Sequence, residues 1–160
     1  MTQTVTVKKN EQSDFKGQYL TFFLGEEEYG IDISHVREII EVLNITSVPN
    51  SHDYLKGVIN LRGKVVPVID IGLKIGLPEC VPTERSCIIV VEFLREFVGM
   101  VVDSVSEVLD ITNEEFDETS FLGQNINERF INGIGKVGGK IKILLDIKNI
   151  LALEEDENSL

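Results

Sequence analysis

The strongest constraint on this chain is that it resembles itself. Laid without a gap, "YLKGVINLRGKVVPVIDI" (Tyr54 to Ile71) runs in register with "FINGIGKVGGKIKILLDI" (Phe130 to Ile147). Gly57 meets Gly133, Gly63 meets Gly139, Lys64 meets Lys140 and Asp70 meets Asp146, with apolar positions agreeing almost throughout. A weaker match lies upstream, "YGIDISHVREII" (Tyr29 to Ile40) over "VGMVVDSVSEVL" (Val98 to Leu109), which pairs Gly30 with Gly99, Val36 with Val105 and Glu38 with Glu107. Chance likeness between apolar hairpins would not put glycines at the same points, because glycine marks special backbone angles or close approaches. Within 160 residues this predicts two similar lobes in tandem.

The pattern inside the copies is that of strands. Short apolar runs with glycine or charged breaks favour an all-β chain. Strands are expected at "QYLTFFLG", "EEYGIDI", "YLKGVINLRG", "KVVPVIDI", "SCIIVVEFL", "EFVGMVVD", "EVLDIT", "NGIGKVGG" and "KIKILLDI". Pro67 suggests an edge or irregular position for its strand. Gly138-Gly139 can supply the positive φ angles of a tight hairpin turn. After it Ile141, Ile143, Leu145 and Ile147 face one way and Lys140, Lys142 and Asp146 the other, Leu144 being the exception. The matching face of the first copy is Val65, Pro67, Ile69 and Ile71. Its opposite face carries Val66 and Val68 and calls for cover by the other lobe or a partner. "SHVREIIEVL" places Val36, Ile39, Ile40 and Leu43 at helical spacing, with Ser34 as a cap. Its many β-branched residues fit a helical turn running into a strand equally well. "DIKNILALEE" is expected to form a short C-terminal helix, and residues 1–14 and 153–160 to be polar tails.

Little here suggests chemistry. A net charge of −12 repels phosphate backbones, which disfavours nucleic acid and anionic membranes as partners. "CIIVVEFLREFVGMVV" is broken by Glu92, Arg95 and Glu96, so direct membrane insertion is not expected. Neither His35 nor His52 sits in a catalytic or metal motif. Cys80 and Cys87 match no zinc spacing and read as reduced thiols. The glycines of "GIGKVGG" precede a strand, not a helix, so they offer no phosphate cradle. The carboxylates mostly lie in runs such as "GEEEYG" and "NEEFDE", which read as solvated faces, and "DSVSEVLDITNE" lacks the central glycine of a calcium loop. A duplicated apolar β-protein without chemistry is most simply a binding module whose groove takes a helix or strand. Val36, Ile39, Val105 and Val108, at related positions in the two copies, line related surfaces or else ordinary core.

"GEEEYGIDISHVREI", "YLKGVINLRGKVVPVIDI", "VGMVVDSVSEVLDI" and "FINGIGKVGGKIKILLDI" resemble the CheW family of chemotaxis coupling proteins across about residues 15–152. The resemblance implies a mainly β fold of two small five-stranded SH3-like barrels related by internal duplication, with short helices including one at the C-terminus. Lobe 1 would take about residues 25–85 plus the C-terminal segment, and lobe 2 about 86–145 plus the first strand. It implies a non-catalytic, cytoplasmic scaffold without cofactor, recruited to membrane-associated receptor arrays. Its partners would be the regulatory domain of the histidine kinase CheA and the cytoplasmic tip of methyl-accepting receptors. An adaptor–receiver coupling half is the alternative within the fold, and a small acidic enzyme the one outside it. By matched motif, Val36, Gly57, Gly99, Val105 and Val108 look like receptor-binding positions, and Arg62, Asn60, Gly63 and Glu38 like kinase-coupling ones. The second copy has Gly138 where the first has Arg62, so the turn itself does not require arginine. Arg62 is then an interface residue or one half of an ion pair, with Glu38 as the candidate other half.

Overall fold

The computed structural model describes residues 15–118 and 128–152; the two tails read from the sequence lie outside them. Eleven strands form in this described part: β1 (Phe15–Leu24), β2 (Glu27–Asp32), β3 (Val36–Glu41), β4 (Leu55–Leu61), β5 (Lys64–Asp70), β6 (Cys87–Phe93), β7 (Glu96–Val102), β8 (Ser104–Thr112), β9 (Phe116–Asp117), β10 (Ile131–Val137) and β11 (Lys140–Leu145). All nine expected strands are among them. "SHVREIIEVL" resolves as a 3-10 turn over Ile33–His35 running into β3. Asp32, not Ser34, caps that turn, its carboxylate accepting from the Ser34 amide at 2.9 Å. The C-terminal helix forms over residues 147–152.

The strands make two sheets, ordered β8-β1-β2-β11-β10-β9 and β3-β6-β7-β5-β4. The repeat is visible in their register. Leu144 lies beside Gly30 where β11 runs parallel to β2, and Val68 lies beside Gly99 where β5 runs parallel to β7. Leu20 faces Val108 and Phe22 faces Val105 on one sheet, as Ile89 faces Ile39 and Val91 faces Val36 on the other. Both ladders carry an irregularity at the same point, between Leu20 and Phe22 and between Val36 and Glu38.

The sheets do not divide the chain near residue 85. The hairpin β1–β2, from the first copy, lies with β8–β11 of the second; the hairpin β6–β7, from the second, lies with β3–β5 of the first. The two copies have exchanged their leading hairpins. One sheet has six strands where five were expected, because the chain bends after β8 and returns as β9 against β10. The other does the same with a single residue. Beyond β3, Thr46 bridges Val58 on the free edge of β4, with 2.9 Å hydrogen bonds in both directions. In each sheet the chain leaving the first edge strand thus folds back onto the last, which gives both their barrel character.

Three apolar cores follow. The largest lies between the sheets and takes Leu20, Phe22, Ile31, Ile143 and Leu145 from one and Ile69, Ile89, Val91 and Met100 from the other. Each barrel also has its own interior, around Val66, Val68, Ile88 and Val90 in one and Tyr19, Ile111 and Leu144 in the other. This corrects the faces read from the sequence. Val66, Val68 and Leu144 fill barrel interiors, whereas Val65 and Ile141, placed on the core face, are exposed at 73% and 58%. Pro67 sits in an interior strand, not at an edge. Val58, opposite it, spends its amide and carbonyl on Thr46, and the parallel ladder with β7 begins one residue later at Val68, so no bond is lost to the missing N–H.

Candidate functional site

Arg62 and Gly63 are the two residues of the β4–β5 hairpin turn, and both have positive φ, 50° and 87°. Gly138 and Gly139 take the same turn in the twin hairpin at 60° and 76°. Such two-residue turns match the twist of the strands they join but demand left-handed backbone, which costs a residue with a β-carbon. Arg62 is held there by its surroundings. The Asn60 side chain accepts from the Gly63 amide at 2.8 Å, clamping the turn. The Arg62 guanidinium makes a two-pronged ion pair with Glu38 of β3, one prong at 3.2 Å. The hydrogen bond and charge of Glu38 raise the guanidinium pKa further above its ordinary value. Arg62 nevertheless stays 70% exposed and Glu38 29%. The four predicted kinase-coupling residues therefore form one cluster on the rim of the β3–β7 barrel, bridging its two edge strands.

The five predicted receptor-binding residues differ in exposure. Val36 and Val105, twins at the starts of β3 and β8, are half-buried against the core between the sheets. Val108 is 50% exposed on β8, as its twin Ile39 is 43% exposed on β3. Gly57 and Gly99 are buried, and neighbouring groups approach both backbones closely. A β-carbon on Gly57, at φ 144°, would collide with the carbonyl of Thr46, the residue that returns to the β4 edge. Its twin Gly133 stands the same way against Phe116 and Asp117 of β9, at 2.6 and 2.7 Å. A β-carbon on Gly99 would meet Ile88 at 2.8 Å.

The sequence reading missed two features. Lys142 and Glu28, both expected to face solvent, are buried inside the β8–β11 barrel and paired at 2.7 Å, with Glu107 at 3.6 Å from the same ammonium. Burial works against the Glu28 charge, but Lys142 and the nearby Thr21 and Ser106 hydroxyls outweigh it and lower its pKa. In the twin barrel the places of Thr21, Glu28 and Lys142 are taken by Val90, Phe97 and Val66. The superposed repeats alone could have shown this, since three apolar positions in one copy are polar in the other.

The second feature is an interlobe cleft of about 740 Å³ between the β1–β2 turn and the segment that joins the two copies. The Asp70 carboxylate, fully buried, caps the helical turn Ile71–Lys74 through the Leu73 amide and holds the Cys80 amide at 2.7 Å. The Cys80 thiol donates to Asp103 at 2.9 Å, and Asp103 accepts from Gly25 across the cleft at 2.6 Å. Burial, then the hydrogen bond and charge of Asp103, push the Cys80 pKa up to about 12. Asp70 and Asp103 are both spent on backbone amides here, and Glu79 pairs with Lys56 at 2.6 Å. Among the described residues no group of His, Cys, Asp and Glu side chains is arranged to hold a metal. No described helix is long and apolar enough to cross a membrane.

Comparison with known proteins agrees with this geometry. The family model for the CheW-like domain matches residues 18–155. The "Chemotaxis protein CheW" of Klebsiella aerogenes is 37% identical over 155 residues, covering 97% of this chain and 93% of that one. That of Thermotoga maritima is 34% identical over 137 residues, covering 84% and 87%. The crystal structure of the scaffolding protein TtCheW from Thermoanaerobacter tengcongensis superposes with a TM-score of 0.77 at 34% identity, over 84% of this chain and 91% of that one. Two barrels with exchanged hairpins, the glycine-pinned barrel edges and a match along nearly the whole sequence lead to one conclusion: the chain belongs to the CheW-like domain family.

Proposed function

We propose that this protein is a non-catalytic adaptor of chemotaxis signalling, coupling methyl-accepting receptors to the histidine kinase CheA in membrane-associated arrays. The observation that carries this is Arg62. It occupies a left-handed turn position that its twin fills with Gly138, it is largely exposed, and among the described residues its ion pair is to Glu38. A residue kept against the backbone's preference, on a barrel rim, is a contact residue in the making. Asn60, Gly63 and Glu38 shape the same rim, and together they are the surface offered to the regulatory domain of CheA.

For the receptor, the half-buried Val36 and Val105 and the exposed Val108 and Ile39 supply apolar surface of the kind that receives an amphipathic helix. Gly57 and Gly99 contribute by holding strand β4 and strand β7 in place. The decisive experiment is reconstitution with a cognate receptor and CheA. Adding this protein should raise receptor-dependent kinase phosphorylation several-fold, and phosphorylation indifferent to its presence would overturn the reading.

A further inference from the structure

Val105 and Val108 stand at positions i and i+3 of one strand, and on a regular strand an odd spacing puts side chains on opposite faces. On β8 it does not. Val105 lies opposite Phe22, and Val108 lies opposite Leu20. Directly opposed residues share a face, and Leu20 and Phe22 both belong to the core between the sheets. Between these two pairs β8 therefore carries an extra residue relative to β1, a β-bulge that brings both valines to the same side. Ser106, Glu107 and Val108 are exposed in succession, where strict alternation would turn one of them inward.

An extra residue stays at one place along a strand only if something bonds it there. The ladder steps from Leu20–Val108 to Phe22–Val105 and leaves Thr21 without a partner on β8. The Thr21 hydroxyl supplies the bonds instead. It accepts from the Glu107 amide at 3.2 Å and donates to the Glu107 carbonyl at 3.1 Å. Thr21 is wholly buried, and a buried hydroxyl is stable only when it is bonded. Lys142 reaches the Glu107 carboxylate from the barrel interior at 3.6 Å, a weaker hold because that side chain is 55% exposed. The twin bulge is built differently. Val90 stands in the place of Thr21, has no hydroxyl, and keeps its ladder place opposite Glu38, the twin of Glu107. Glu38 is held by Arg62.

We propose that Thr21 is a positioning residue for receptor binding: its hydroxyl pins the β8 bulge at Glu107 and so keeps Val105 and Val108 on one face. This rests on the reading of those two valines as receptor contacts. Thr21 is buried and touches no partner itself, so its effect on binding passes through the strand it holds.

The test combines amide hydrogen exchange with binding to the cytoplasmic tip of a cognate methyl-accepting receptor, for the full-length parent, Thr21→Val and Thr21→Ser. In the parent the Glu107 amide should be protected, although its residue is exposed on an edge strand. Thr21→Val removes the hydroxyl at nearly the same size. Its Glu107 amide should exchange at least about fivefold faster, the ordinary worth of one hydrogen bond. The amide of Val101, buried in the other barrel, should be unchanged. The same variant should bind the receptor tip about fivefold more weakly and the CheA regulatory domain as tightly as the parent does. Thr21→Ser, which keeps the hydroxyl, should restore both. An unprotected Glu107 amide in the parent would overturn the proposal, even if Thr21→Val did not fold. So would equal receptor binding by the parent and a Thr21→Val chain with its Glu107 amide loosened, which would make the pin structural alone. A parent that binds no receptor tip would overturn the receptor reading itself, and the positioning role with it.

Discussion

Arg62 and Glu38 join the two edge strands of one barrel through a pair that water reaches: the arginine is 70% exposed and the glutamate 29%. Arg62 is thus an ion-pair partner that stays exposed, so the interface role proposed for it does not conflict with the pair. Exposed pairs contribute little to stability, a two-pronged arginine pair being the kind that contributes most. Replacing Arg62 by histidine should therefore leave the unfolding midpoint nearly unchanged. Replacing it by glycine, the residue its twin uses, should leave the midpoint unchanged or raise it, since the left-handed turn then costs less. Both variants should bind the CheA regulatory domain more weakly in a pull-down. A midpoint that collapses in either would assign Arg62 to the fold alone.

Gly57→Ala and Gly133→Ala should both be severely destabilising. Each glycine has a positive φ, 144° and 159°, and each would drive a β-carbon into the chain that completes its barrel. Strain and collision together should cost at least about 2 kcal/mol in denaturant titrations. Equal damage at the two sites is the expected result, because the contact is duplicated. Loss of receptor coupling in the Gly57 variant would then follow from a displaced strand β4.

The buried Glu28–Lys142 pair makes opposite predictions for breaking and replacing it. Lys142→Met strands a buried carboxylate whose Oε2 already lacks a hydrogen bond, and should cost about 3–5 kcal/mol. The triple variant Thr21→Val, Glu28→Phe, Lys142→Val transplants the twin barrel's residues and should be near neutral or stabilising. Urea melts of the two proteins at neutral pH make the comparison. If the triple variant is as damaged as the single one, the barrel interiors are not interchangeable.

The same pair fixes a direction with pH. The Glu28 pKa is lowered in the folded state, so the unfolded chain takes up its proton first as pH falls. The contribution is full above the unfolded value, about 4.3 for a glutamate, and is lost progressively as pH falls towards and through the folded one. Through that window the parent should lose stability more steeply than the triple variant, as read from midpoints at a series of pH values.

Cutting the chain at the repeat boundary should give two fragments, 1–85 and 86–160, neither of which folds alone. Each lacks the hairpin that the other holds for it, and each exposes half of the core between the sheets. Circular dichroism of the separate halves should show disordered chains, and mixing them should restore strand signal. A stable sheet in either half by itself would contradict the exchange.

Much of this was open to reading because duplication gives a sequence its own comparison. The repeat, the strands and the turn glycines were legible since alternation and glycine placement are local properties. The side to which Val65, Val66 and Val68 point was not, because beyond the exposed Val65 both faces of that strand are covered, one by the other sheet and one by its own barrel. Nor could period-2 alternation tell a solvent-facing Lys142 from one folded into a barrel on Glu28. Gly57 and Gly99 were marked as positions that matter, but only the three-dimensional neighbours, Thr46 and Ile88, show why neither site has room for a β-carbon. Lobe membership depended on a crossover that no stretch of sequence records.

The exchange of hairpins also sets an order of events during synthesis. Strands β3 to β7 are contiguous in the chain, and once Val102 has left the ribosome the barrel they form has all its strands. The first two strands made, β1 and β2, are in the opposite position, since their neighbours β8 and β11 are among the last. A nascent chain thus carries an apolar hairpin with unpaired edges, including Leu20, Phe22 and Ile31, through most of its translation. Pairings this distant are slow to form. Stalling or truncation late in the message should therefore release a finished barrel with a sticky leading end, and for such a chain the vulnerable moment is birth rather than working life.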